Sequence, residues 1–515
     1  MRRKTRFPGC WNPAVLAVVL GTASGPLAAQ DALPATSLTI YSSARPGAVP
    51  AELYRPVPGS GAYFGQSVPG YAVIRQSSQI ELGAGRNQYS LTDVAAYIDP
   101  TTVRFESRTD PTTRVLEQAF QFDLVNTQRL MQRYTDQIIT VDQRSADGMQ
   151  QITGRLLSSD SGLILAGDDG RIHSINDYSN IHFPELPGGL MTRPTLVWEV
   201  VTNRAGTHDI RVSYQTTGIT WWADYNLTFT PGPDANSGYL DLGAWVSILN
   251  RSGASYGDAQ LKLIAGDVNR AEPSGPMVMR ALEQGGLAAD ATGGFEERGL
   301  FEFHLYTLGR STTIPDNSTR QIELLPVTPK VPARKLLVYY GEIPRYGFDR
   351  QPITDRDFGL PMNTKVDVYL EFKNEEAVGL GIPLPAGRIR VSQLDESDES
   401  LELIGEDIID HTPKDEDVLI KLGSAFDVVG NRRQVDFQID VGSRRMEEVI
   451  EVAIRNHKPD PVEVIVKETL FLWADNDIVQ ADSDYERFDN STVHFPVMVT
   501  ADGETVVRYR VRYTW

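Results

Sequence analysis

Few residues of this chain stand at spacings that could do chemistry. Gly83-Ala84-Gly85-Arg86-Asn87-Gln88 begins like the glycine fingerprint that holds a dinucleotide pyrophosphate, but it ends in Gln, and no alternating strands and helices surround it. It reads as a turn leaving a strand at 78–82. The seven histidines include His173 and His182 on strand or loop, and His411 in the turn-like His411-Thr412-Pro413-Lys414-Asp415. None has the spacing of a metal or catalytic pair, so a structural role is expected for each, although members of a dispersed triad need not be close in sequence.

Two acidic clusters carry the oxygens that calcium takes: Asp395-Glu396-Ser397-Asp398-Glu399, and Asp475-Asn476-Asp477 with Asp482 and Asp484. The second is not spaced as a helix–loop–helix calcium loop, whose sharp-turn glycine would fall at Gln480. Solvated loops are expected at both. The sequence has no G-x-S-x-G, H-E-x-x-H or phosphate-loop motif, so it assigns no catalytic, cofactor-binding or metal residue. The remaining candidate is aromatic. In Trp221-Trp222-Ala223-Asp224-Tyr225, after Gly218, a strand would put Trp221 and Tyr225 on one face and Trp222 on the other. An exposed ring there could stack on a sugar or anchor a partner; covered rings would simply be core.

The elements that would position such residues are strands. Val366, Val368, Leu370 and Phe372 alternate with Asp367, Tyr369 and Glu371, and Ile450, Val452 and Ile454 alternate with Glu451, Ala453 and Arg455. At the C-terminal end Val507, Tyr509, Val511 and Tyr513 share one predicted face, which leaves Arg508, Arg510 and Arg512 for solvent. Three strands end in Asn before a turn, at Asn250, Asn374 and Asn456, as expected of a residue that bonds its own backbone and tolerates turn conformations. These features predict a mainly β chain of several immunoglobulin-like β-sandwich modules. Helical spacing is scarce; Asn126 is a plausible cap for one helix carrying Leu130, Met131 and Tyr134. The glycine-punctuated runs at 154–157, 162–165 and 170–173 predict a small β-barrel-like module or meander.

Breaks rich in Pro and Gly at 184–194, 271–299 and 341–361 divide the chain. The predicted plan is a signal peptide at 1–30, an N-terminal β module at 36–110, a barrel-like module at 120–185, a middle β-sandwich at 193–340 with a flexible insertion at 271–299, and a C-terminal β-sandwich at 362–515. The first 30 residues run from basic Arg2, Arg3, Lys4 and Arg6 through apolar 14–20 to Leu27-Ala28-Ala29-Gln30, the order of a secretory signal cleaved near Ala29 or Gln30. Cys10, the only cysteine, would leave with it, so neither a disulfide nor a thiolate site is expected. No later run is long and apolar enough for a membrane helix.

Several runs together carry a resemblance. Ser213-Tyr214-Gln215, then 218–225, 244–250, Asp258-Ala259-Gln260-Leu261-Lys262-Leu263-Ile264-Ala265-Gly266, and Ile382-Pro383-Leu384-Pro385-Ala386-Gly387 resemble the shared C-terminal domain of the mucoidy-inhibitor-A-like bacterial proteins. So do 404–422 and 455–458 through the terminal Arg512-Tyr513-Thr514-Trp515. The resemblance spans about 195–515, and the region from about 70 is similar to the longer, exported members. It implies an all-β envelope protein and carries over no site residue. The coiled-coil segment of some relatives is missing, and 271–299 is poorly matched.

Composition bounds the function. The 515 residues carry 49 Lys and Arg against 68 Asp and Glu, a formal charge of −19, and 41% are apolar. Cores can form, and global disorder is excluded. The acidic balance argues against nucleic acid or an anionic membrane as a general partner, so any anion contact has to be local. The expected function is therefore an exported binding or structural protein of the periplasm or cell surface, with an envelope protein or polysaccharide as partner. An exported hydrolase of polysaccharide or peptide, working through a dispersed carboxylate pair, is the alternative. Intact-mass measurement on protein from fractionated cells should find a chain starting near Gln30 or Asp31 outside the cytosol; an uncut cytosolic chain contradicts the signal.

Overall fold

The computed structural model describes residues 36–41, 49–54, 68–266, 268, 295–341, 351–356 and 363–515, apart from positions 124, 146, 147, 161, 186, 188, 189 and 396. The expected signal at 1–30, the insertion up to 294 and most of the break at 341–361 lie outside these residues. The described chain is mainly strand, in four sheets.

Alternation dictates most of it. In Gly206–Thr217 every second side chain from His208 to Thr216 is buried, and the strand lies between Tyr71–Leu82 and Ile98–Ser107 in a seven-stranded sheet. That sheet also takes in Thr36–Tyr41, which runs parallel to Tyr256–Ala265. The pairing crosses the expected boundary between 36–110 and 193–340, because the two edges are each apolar on the same face and cover one core. A three-stranded sheet of Gly85–Thr92, Thr195–Thr202 and Arg114–Gln121 packs Trp198 into that core. There Tyr89 stacks on Trp198 at 5.7 Å, Phe105 lies at 5.5 Å, and the indole Nε1 donates to Gln118 Oε1.

The glycine-punctuated region is an open five-stranded sheet, from Asn180–His182 at one edge to Ile172–Ile175 at the other, so the barrel-like expectation is corrected. Its buried apolar residues pack together with the helix Thr127–Arg133 and Tyr134, which cover them in place of closure, while Ile138, Ile164 and Ile172 are exposed. The helix is capped as predicted, with Asn126 Oδ1 accepting from Arg129 N at 2.9 Å. The tail of the expected insertion is also ordered structure: Phe295–Leu300 pairs with Phe303–Ile314.

The fourth and largest sheet has thirteen strands and serves two cores. Two long strands make this work. Ser318–Tyr340 pairs with Ser237–Asn250 from Ser318 to Arg334, and with Lys365–Lys373 and Val462–Thr469 near its end. Two of its three register shifts with Ser237–Asn250 fall at Pro326 and Pro329, which lack the N–H a ladder needs, and Lys330 N turns instead to Asp241 Oδ1. Asp417–Asp440 likewise runs from Lys365–Lys373 to Arg445–Asn456. Gly430 in the second of these strands leaves room for the Tyr339 ring of the first, which a Cβ there would meet at 2.1 Å. Residues 365–409 therefore belong largely with the middle core, since Gly387–Leu394 runs parallel to Ile219–Pro231.

Each predicted strand–Asn–turn unit is a buried pin. Asn250, Asn374 and Asn456 are fully buried. Their Nδ2 groups donate to a carbonyl of the following loop, at Ala254, Ile382 and Asp460, and to a neighbouring turn, at Pro315, Pro413 and Thr500. Their Oδ1 atoms accept a loop N–H, from Ser252, Gly381 and Lys458.

The last strand, Gly503–Thr514, buries Val507, Tyr509, Val511 and Tyr513, as its alternation predicts. Tyr509→Ala should cost about 3–5 kcal/mol in chemical denaturation, whereas Arg510→Ala should cost about 0.5 kcal/mol or less. Equal effects would contradict the assigned faces.

Candidate functional site

Three neighbouring strands of the C-terminal sandwich turn charged residues to one open face. Pairing sets Arg433 opposite Glu451, Glu451 opposite Arg508, and Glu447 opposite Arg512. Glu447 receives Arg512 Nε at 2.8 Å, Arg510 Nη1 at 3.3 Å and the Arg445 guanidinium. Glu451 receives Arg433, whose Nε lies at 2.8 Å, and Arg508 at 3.3 Å. The two carboxylate side chains are only 12% and 11% exposed, while Arg433 is 71% and Arg508 53% exposed. The face therefore presents guanidinium to solvent. Among the described residues these five arginines have two carboxylates at ion-pair distance, so three positive charges are unmatched. In a chain of charge −19 this is the local exception that an anion would need.

Behind the face the alternate residues carry charge inward. Arg432 Nε donates to Glu468 Oε2 at 2.8 Å, and Tyr509 OH donates to the same oxygen. Tyr513 OH donates to Glu448 Oε1 at 3.0 Å and Gln434 Nε2 to Glu448 Oε2 at 3.1 Å. Burial pushes the Glu448 carboxyl above its usual range despite the pull of Arg432. Glu447 behaves in the opposite way: burial alone would raise it, but Arg512, Arg445 and Arg510 together hold it at about 2. Arg432, Glu448 and Glu468 are at most 8% exposed, so they organise the core and do not meet a substrate.

The residues singled out in the sequence are not drawn into one site. Gly83 and Asn87 close a hairpin turn on each other. His182 Nε2 lies 2.8 Å from Asp142 Oδ2, His411 Nδ1 accepts from Ala386 N, and His173 stands in the short strand Ile172–Ile175. Asp395 and Asp398 cap their own turn by accepting from Ser397 N and Ser400 N, and Asp482 accepts from Arg508 N. Among the described residues no group of three His, Cys, Asp or Glu side chains is arranged to hold a metal. Trp221 and Tyr225 are buried on one face; Trp222, half-buried on the other, leans on Tyr54 and donates to Asp224 Oδ2 at 2.8 Å.

One arrangement escaped the sequence. Ser107 Oγ lies 2.9 Å from His208 Nδ1, and Asp110 N donates to the same hydroxyl. His208 Nε2 faces the Arg204 carbonyl at 2.9 Å, which only accepts, so this nitrogen carries the proton and Ser107 donates to Nδ1. Types and contacts suit a nucleophile and its base, but His208 is fully buried and Asp110 bonds Thr112 and Thr202 instead of the imidazole. The group ties the 107–113 turn to the 202–208 hairpin. Residues this far apart in sequence leave no local signal.

Comparison with protein-family models, curated proteins and solved structures finds no match for this chain. Among the described residues no helix is long and apolar enough to cross a membrane.

Glu447 supplies a pH test of the face. Its folded pKa of about 2 lies below the ordinary 4.5, so the stability it adds is complete above about 4.5 and is lost as pH falls towards 2. Glu447→Gln should be less stable than the parent by about 1–2 kcal/mol at pH 7, and thermal melts should show the gap narrowing between pH 4.5 and 2. A gap independent of pH contradicts the arginine-held carboxylate.

Proposed function

We propose that this chain is an exported protein of the bacterial envelope, periplasmic or at the cell surface, and a relative of the mucoidy-inhibitor-A-like proteins. In this reading it binds, and does not transform, an acidic polysaccharide. The observation that carries the proposal is the arginine face: five guanidiniums over two recessed carboxylates on adjacent strands. Guanidinium forks match carboxylates in pairs, and strands about 4.8 Å apart repeat them at a spacing that a chain of uronate groups can follow. The net charge of −19 disfavours polyanions on the chain in general, so contact is expected at this face. The order of basic, apolar and small residues at 1–30 supports export.

Retention on immobilised polygalacturonate tests it. The parent chain should be retained at low salt, released as salt rises, and ignored by neutral dextran. The double variant Arg433→Glu, Arg508→Glu should bind at least about tenfold more weakly, because it reverses two charges at the most exposed positions. Equal retention of parent and variant, or of the two polymers, would overturn the assignment.

A further inference from the structure

The middle core opens, at a place that none of the five arginines lines, into a cleft of about 420 Å³. That size is within the range of small-ligand sites, ~300–1,000 Å³. The cleft forms because the large sheet curls. Leu401–Ile409 comes so close to Asp417–Asp440 that a Cβ on Gly405 would lie 2.6 Å from Leu422 Cα, and Lys421 N donates across to Asp407 Oδ2 at 2.6 Å. The walls are apolar, made by Phe229, Leu370, Ile404 and Leu422.

Its polar groups are few and unequally engaged. Asp234 accepts from Asn236 N, Ser237 N and Ser237 Oγ, so both of its oxygens are occupied. Ser424 Oγ donates to Asp367. Lys335 is half-buried and has no carboxylate at ion-pair distance among the described residues. Burial, reinforced by Lys458, lowers its pKa, and Asp234 only partly offsets this. A cation held against apolar walls without a partner is costly, and an anion in the cleft relieves that cost. Gln393 adds an amide to the lining. Asp234 sets a limit on the anion: beside one ammonium and one carboxylate, a single negative charge is accommodated and a dianion is repelled.

We propose that this cleft binds a monocarboxylate with an apolar tail, its carboxylate on Lys335 and Gln393 and its tail along Phe229, Leu370, Ile404 and Leu422. Medium-chain fatty acids have this chemistry. The site is independent of the arginine face, so either can fail without the other.

Calorimetric titration of the full chain with octanoate, octanol and octylammonium tests it. Octanoate should bind at least tenfold more tightly than octanol, and octylammonium should not bind. Lys335→Met should reduce octanoate to the octanol level, Lys335→Arg should keep the preference, and Leu422→Trp should abolish binding of both by filling the cleft. Circular dichroism and thermal melts confirm that each variant is folded. The proposal is overturned if octanoate binds no better than octanol, if Lys335→Met leaves its affinity unchanged, or if Leu422→Trp binds like the parent.

Discussion

The Arg432–Glu468 pair fixes the register on which the C-terminal sandwich depends. Strand side chains alternate, so a slip of one residue in Asp417–Asp440 would exchange Arg432 with Arg433 and carry every neighbour across with them. In the inner set Arg432 and Tyr509 donate to Glu468 and Tyr513 donates to Glu448, whereas in the outer set Arg433 and Arg508 pair with Glu451 and Arg510 pairs with Glu447. Neither set could serve in the place of the other. An apolar core would bury these strands as well or better, since a buried ion pair gains little after desolvation. What the inner charges add is a large penalty for the wrong register, and the arginine face is the outward print of that choice.

The buried asparagines do comparable work at strand ends. A chain leaving a sheet abandons carbonyls and N–H groups that water cannot reach, and leaving them unpaired costs about 1–3 kcal/mol each. One side-chain amide has two donors and an acceptor, enough to serve the departing loop and a neighbouring turn together. Asn250, Asn374 and Asn456 use all of these, and an aspartate of the same shape could not, because it has no donor for carbonyl oxygens. The recurrence follows from the same local problem at each sheet edge.

Much of this was legible in the sequence where the signal is local. The alternation of 507–513, the Asn126 cap, the shared face of Trp221 and Tyr225 and the turn role of the three asparagines all follow from neighbours a few residues apart. The parallel pairing of Thr36–Tyr41 with Tyr256–Ala265 is not of that kind, since no spacing rule links segments so distant. Ser318–Tyr340 is hidden by Pro326, Pro329 and Pro332, which erase a strand's usual reading although bulges accommodate them. At the candidate site the arginine row was visible, but the two glutamates that recess beneath it come from another strand. The Lys335 cleft depends on curvature of the sheet, which no stretch of sequence encodes alone.

Ser318–Tyr340 and Asp417–Asp440 each belong to two cores at once. Neither core can melt while the other keeps its full ladder, because the same backbone is a wall of both. Force applied to one end of the described chain is thus shared along continuous strands and not taken up at a hinge. A destabilising change in either core is therefore expected to speed amide exchange in both.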